Sequence, residues 1–257
     1  MILKYRSNRM PLVIKLTLRA VDPVKVFIRC DDASRRNTTY TNRYNTIQGI
    51  EEFLIRMPLS PELSLITIVN EDGDDDGFNL VAKEVLPIKT QMSAFDFGKP
   101  GISKFVVFAQ FFAERAGYLS PGEYFNETGE YKITYLSEIV SHTNSKVLNT
   151  PARISANSGL VEVSKSKFDK YTVPGRLAVL LHEFCHIFVN KDISSETEAD
   201  KHAATIYLGL GYPRIDLLNV FANIFYRADT DVNRKRMSLF IKYVNDFDNK
   251  IFSVKYA

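Results

Sequence analysis

His182-Glu183-Phe184-Cys185-His186 decides how the C-terminal part of this 257-residue chain is read. Histidines four positions apart share one face of an α-helix, with Cα atoms about 6 Å from each other, close enough for two imidazoles to share one cation. Glu183 is turned by about 100° from His182 and lies beside that face, where a base can act on metal-held water without taking a coordination position. The flanking residues predict a helix over 173–190, with Thr172 as N-cap and Pro174 in the first turn, where a missing N–H costs nothing. Leu177, Leu180, Leu181, Phe184 and Phe188 make that helix largely buried, so its histidines need partners in a dry setting. A metal supplies them. Imidazoles, a carboxylate and one open position form the set with which zinc (Zn2+) lowers the pKa of water and polarises a carbonyl.

The third ligand follows from chain geometry. The helix ends near Asn190, a short turn follows, and a second helix is expected over 194–209. If it returns alongside the first, His186 before the turn and Glu196 after it become neighbours. Glu196 has a competing explanation, because an acidic residue in a first turn complements the helix dipole and Ser195 to Glu198 reads as a capping box. Asp200 lies one turn beyond Glu196 on the same face, a candidate acceptor for the far N–H of a ligand histidine, while small Ala199 lets the helices approach. Glu198 and His202 point elsewhere, and Cys185 reads as a small buried apolar residue.

His182-Glu183-Phe184-Cys185-His186 followed by Glu196-Thr197-Glu198-Ala199-Asp200 resembles the HExxH plus ExxAD pattern of gluzincin-type zinc metallopeptidases. The resemblance covers roughly residues 130–210, and the Gly159–Lys165 stretch ahead of the helix looks like the edge strand of such proteins. It implies zinc on His182, His186 and Glu196, with Glu183 as general base and proton shuttle in peptide-bond hydrolysis by a metal-activated water. The step from His186 to Glu196 is shorter than in many gluzincins.

Upstream, short β-rich runs at 12–16, 24–28, 52–56, 63–68 and 79–82 alternate at period two between Pro, Asn, Asp and Gly, which predicts an antiparallel sandwich or small barrel. Residues 46–57 also fit a short helix. Composition changes at 96–101, and helical spacing of Phe105, Phe108, Ala109 and Phe112 follows, stopped by Gly117. Strands are expected over 131–136 and 159–163, with 153–156 folding back onto the latter, and further helices over 214–227 and 231–246. The fold class is therefore α+β: an all-β sandwich-like binding or localisation domain over 1–96, then a compact zincin-like domain over 97–257. A β module ahead of a small zincin also resembles, at the level of architecture, metallopeptidase-like virion proteins of tailed phages, including the crAss-like group. That resemblance implies a neck or tail component with little or no peptidase activity.

The 33 basic and 30 acidic side chains leave a net charge of only +3, too balanced to imply a nucleic-acid partner. No apolar run reaches the roughly 18 residues of a membrane span, and the N-terminus has no signal-peptide pattern. A cytoplasmic location is expected, or a virion under the second resemblance. The expected partners are a peptide or protein substrate and, under the second resemblance, further copies or a larger assembly. Cys30 and Cys185 are far apart and predict no structural disulfide. Asp72-Gly73-Asp74-Asp75-Asp76-Gly77 begins like a calcium loop, but its twelfth position is Lys83 and it reads as an exposed acidic turn. Asn233-Arg234-Lys235-Arg236 reads as the solvated start of the last helix. Tyr171, Tyr207, His142 and Arg214 all remain open as oxyanion stabilisers.

Overall fold

The computed structural model describes residues 1–73, 77–88, 100–141, 143–155, 157–190, 192 and 194–247. Two compact units divide the chain, Met1–Gln91 and Met92–Ala257. The expected boundary at 96–101 falls mostly outside the described residues.

The first unit is one antiparallel sheet of β1 (Ile2–Arg6), β2 (Leu12–Asp32), β3 (Thr39–Met57), β4 (Leu63–Asn70) and β5 (Asn79–Pro87). The runs expected at 12–16 and 24–28 are two halves of the single strand β2. Its first half pairs with β5, its second half with β4, and both with β3. The junction is an irregularity between Ala20 and Val24 that holds Val21, Asp22 and Pro23, a place where a residue without an N–H breaks no ladder bond. Opposite it, Gly49 takes φ 74°, the left-handed region that glycine tolerates. The strand bends back there. A straight strand would separate Leu12 from Cys30 by about 60 Å, yet Cys30 Sγ lies 3.8 Å from Sδ of Met57, the ladder partner of Leu12. Folding over lets Leu12, Ile14, Leu16 and Leu18 face Val26, Ile28 and Cys30 in one core, all of them buried. The helical option for 46–57 fails, because those residues lie within β3 and Ile47, Ile55 and Met57 are buried at strand spacing. In the acidic turn, Asp72 accepts from the Lys25 N–H at 3.0 Å, while Asp74 to Asp76 lie outside the described residues.

Among the described residues the second unit places a four-stranded sheet with six helices. Its strands are β6 (Gly122–Phe125), β7 (Lys132–Leu136), β8 (Ala152–Ile154) and β9 (Val161–Ser164), in the order β6-β7-β9-β8. β7 and β9 are parallel, and the other two pairs are antiparallel. β9 is thus flanked on both sides, so the expected edge strand at 159–165 is internal; β8 is the edge on that side of the sheet and β6 the edge on the other.

The helices are α1 (Pro100–Arg115), α2 (Lys165–Phe168), α3 (Val173–Phe188), α4 (Glu196–Gly209), α5 (Arg214–Val220) and α6 (Asp231–Asn245), with a π-helical turn Phe221–Phe225 continuing α5. α3 is the central helix, buried from Val173 to His186. Phe184 stacks on Phe105 of α1 with centroids 3.7 Å apart and planes at 6°, and on Phe188 at 4.6 Å. Arg176, fully buried, donates Nε–H to the Phe168 carbonyl at 2.9 Å and Nη1–H to the Ala113 carbonyl at 3.2 Å, which ties α1, α2 and α3 together. Neither cysteine is in a disulfide. Among the described residues no helix is long and apolar enough to cross a membrane.

Candidate metal centre

Local capping fixes where the two central helices begin. Thr172 Oγ1 accepts from the Gly175 N–H at 3.2 Å with Pro174 in the first turn, so α3 starts where the sequence places it. Ser195 Oγ accepts from the Glu198 N–H at 3.3 Å and starts α4. The reciprocal half of the capping box is replaced, because the Ser195 N–H donates to the Asp192 carbonyl instead.

These starts bring His182, His186 and Glu196 together, with one ligand atom from each lying within 4.8 Å of the others. The two histidine Nε2 atoms are 3.2 Å apart. Glu196 Oε2 is 3.5 Å from His182 Nε2, and Oε1 is 3.6 Å from His186 Nε2. Bonds of about 2.05 Å at tetrahedral angles would separate the donor atoms by about 3.3 Å. The imidazole pair matches that spacing and each carboxylate oxygen faces one imidazole, so the two-imidazole, one-carboxylate set could hold a divalent ion.

Asp200, 2% exposed, sits behind His182 with Oδ1 3.1 Å from Nδ1. A carboxylate there keeps the proton on Nδ1 and leaves the Nε2 lone pair turned to the cluster. Asp200 is itself held by three hydrogen bonds. Arg236 of α6 donates Nε–H to Oδ2 at 2.5 Å and Nη2–H to Oδ1 at 2.7 Å, and the Tyr226 hydroxyl donates to Oδ2 at 2.7 Å. The same Arg236 Nη2 donates to Glu196 Oε2 at 2.8 Å. Sequence reasoning missed Arg236 and placed it on a solvated helix start, but its side chain is only 12% exposed. Its neighbour Arg234 does face solvent, paired with Asp229 and Asp231. The π-helical turn was missed as well, and its Phe225 ring lies over His182 with centroids 4.0 Å apart.

The charges interlock. Burial alone would push the His182 imidazole down, but its bonds to Asp200 and Glu196 and the charge of Glu183 hold it up at about 9. The bond from His182, working against burial and helped by Arg236 and His186, holds Glu196 down at about 2. Burial raises Glu183, and it is partly offset by the two histidines and by the Ile154 N–H, which donates to its carboxylate. Burial would raise Asp200, but His182 and Arg236 reverse that and leave it lowered. A cation bound through Nε2 would have to displace the proton that this pairing favours on the His182 imidazole.

Glu183 is buried, and its bond to Ile154 ties it to the edge strand β8. Of the residues left open as oxyanion stabilisers, Tyr171 packs on Phe168 with centroids 6.4 Å apart and Tyr207 packs on Tyr212 at 5.1 Å, while His142 lies outside the described residues. His202 contacts Asn190 Oδ1 through Nδ1 at 3.0 Å, away from the cluster. No family model, no curated protein and no solved structure matches the chain.

Proposed function

We propose that this chain is a zinc-dependent metallopeptidase, with His182, His186 and Glu196 holding the ion and Glu183 acting as the base. The observation that carries this reading is the convergence of three ligand atoms within 4.8 Å from two helices, with Asp200 on the far nitrogen of His182. Zinc at this site supplies Lewis-acid chemistry, polarising the scissile carbonyl and acidifying water.

The chain's own residues do the rest. Glu183 takes a proton from the attacking water on a carboxylate oxygen as the water oxygen bonds to the carbonyl carbon, then gives it to the departing amine nitrogen as the C–N bond breaks. Asp200 keeps His182 in the tautomer that binds. β8 is the strand against which an extended substrate lies, because β9 has no open side, and the Ile154–Glu183 bond puts that strand next to the base.

Two measurements test the reading separately. Purified protein is expected to hold about one zinc per chain and His182→Ala none; equal zinc in both refutes the site. Peptide hydrolysis is expected to vanish with chelator and with Glu183→Gln, while zinc content and melting of that variant match wild type. Undiminished hydrolysis by Glu183→Gln refutes the mechanism. A chain that binds zinc through these residues but cleaves no peptide would fit a structural or interaction role in an assembly.

A further inference from the structure

We propose that Arg236 is a positioning residue for the metal site, one guanidinium that holds both Glu196 and Asp200 in the arrangement zinc requires. The inference rests on the metal-binding reading above and assigns that site a dependence on α6, a helix that supplies no ligand.

The helix is seated by its apolar face. Arg236, Phe240 and Val244 follow one another at four-residue spacing; Phe240 stacks on Phe221 with centroids 4.0 Å apart and planes at 14°, and Val244 is fully buried. Packing of Phe240 and Val244 therefore fixes the height at which Arg236 leaves the helix. Its planar fork then grips Asp200 through two nitrogens and reaches Glu196 with one of them, at 2.5, 2.7 and 2.8 Å.

Each grip has its own effect on zinc. Glu196 is half exposed in the first turn of α4, so without a partner its long side chain samples many rotamers. Arg236 holds Oε2 and keeps the carboxylate facing the two imidazoles before any ion arrives. Asp200 faces two elements at once, and the Arg236 fork with the Tyr226 hydroxyl turns Oδ1 toward His182 Nδ1. One side chain from outside α3 and α4 thus fixes a ligand's rotamer and another ligand's tautomer.

The opposite effect is physically available, which makes the proposal decidable. A guanidinium close to a dication site repels the ion and competes for the same carboxylates. If repulsion dominates, Arg236→Met tightens zinc binding and Arg236→Lys leaves it unchanged. If positioning dominates, both weaken it, because lysine keeps the charge but cannot form the fork.

Zinc dissociation constants measured by chelator competition on the full chain, for wild type, Arg236→Met, Arg236→Lys and His182→Ala, separate the cases. The visible spectrum of the cobalt-loaded proteins reports ligand geometry, and far-UV melting of the metal-free proteins reports the fold. Arg236→Met is expected to bind zinc about 10–100-fold more weakly, with an altered cobalt spectrum, and Arg236→Lys to resemble it more than wild type. Wild-type or tighter binding by Arg236→Met with an unchanged spectrum overturns the positioning role while leaving the metal site intact. If Arg236→Met does not fold, Arg236→Lys decides alone, and wild-type affinity and spectrum in that variant overturn the role. Zinc binding undiminished in His182→Ala overturns the metal reading and this inference with it.

Discussion

Replacing Asp200 by Asn keeps the shape of the side chain and removes its charge, which makes it the sharpest probe of the network behind the cluster. Three donors hold that carboxylate, Arg236 Nε and Nη2 and the Tyr226 hydroxyl, and His182 Nδ1 lies 3.1 Å from it. An amide offers one acceptor oxygen and turns its own NH2 against at least one of them. Removing one partner of a buried charge pair costs about 3–5 kcal/mol. Arg236 retains 12% exposure, so water can relieve part of its lost pairing and the lower end, about 3 kcal/mol, is expected. For a folding unit of this size that shifts the melting temperature down by about 6–12 °C. The assay is denaturant unfolding of chelator-treated wild type, Asp200→Asn, Arg236→Met and the double variant. If the cost is the stranded guanidinium, removing Arg236 as well recovers part of it, with a coupling energy of about 2 kcal/mol. Strictly additive effects, or Asp200→Asn within about 0.5 kcal/mol of wild type, would refute the network as described.

Four further outcomes can be checked on the same protein. Gly159→Ala should destabilise the second unit by about 1–2 kcal/mol, since Gly159 has φ 66° and an added Cβ would sit 3.1 Å from Phe188 Cζ; an unchanged melt contradicts the turn. Thr172→Ala should cost about 1 kcal/mol and Thr172→Ser much less, because serine keeps the hydroxyl that caps Gly175. Zinc at a hundredfold excess over its dissociation constant should stabilise the chain by about 2.7 kcal/mol, and His182→Ala should abolish the shift. Burial, with the charge of Asp31, pushes the Cys30 thiol from 9.0 up to about 12. Above pH 9 the unfolded chain therefore sheds a proton that the folded chain keeps, and stability falls as pH rises toward 12, by about 1.4 kcal/mol per pH unit from this thiol. Cys30→Ala should flatten the alkaline limb by that amount, and identical limbs would contradict the burial.

Features set by local periodicity were legible. His182 and His186 share a face because of the helical repeat, and the helix predicted at 173–190 is Val173–Phe188 in the structure. Glu196 and Asp200 followed from one assumption, that α4 returns alongside α3, and the short turn between them left little alternative. Thr172 and Ser195 announced both starts by chemistry that acts within three residues. In the first unit the inward positions were visible as alternation, but the strand count was not. Val21-Asp22-Pro23 looks like a loop between two strands, and only the irregular pairing of Ala20 and Val24 across Gly49 carries β2 through it.

What stayed hidden depends on contacts across the fold. Period-two alternation identifies β9 as a strand but says nothing about its neighbours, and the parallel pairing of β7 with β9 is what moves the open edge to β8. Arg236 is the instructive case, because one usable signal existed. Arg234 and Arg236 look alike in a basic run, yet only Arg236 is in step with Phe240 and Val244, the residues that α6 buries. A charge on the buried stripe of an amphipathic helix must be paired to be tolerated, so the stripe alone marks Arg236 as reaching toward buried acids. It cannot name them, since Glu196 is 40 residues away and Asp200 is 36. The sequence had in fact supplied the other half: Asp200, a carboxylate already argued to sit behind a buried imidazole, is acceptor-only and has room for donors beyond His182. A buried cation without a named partner and a buried anion with spare acceptor capacity in the same small unit point to each other, and the fold adds the distance.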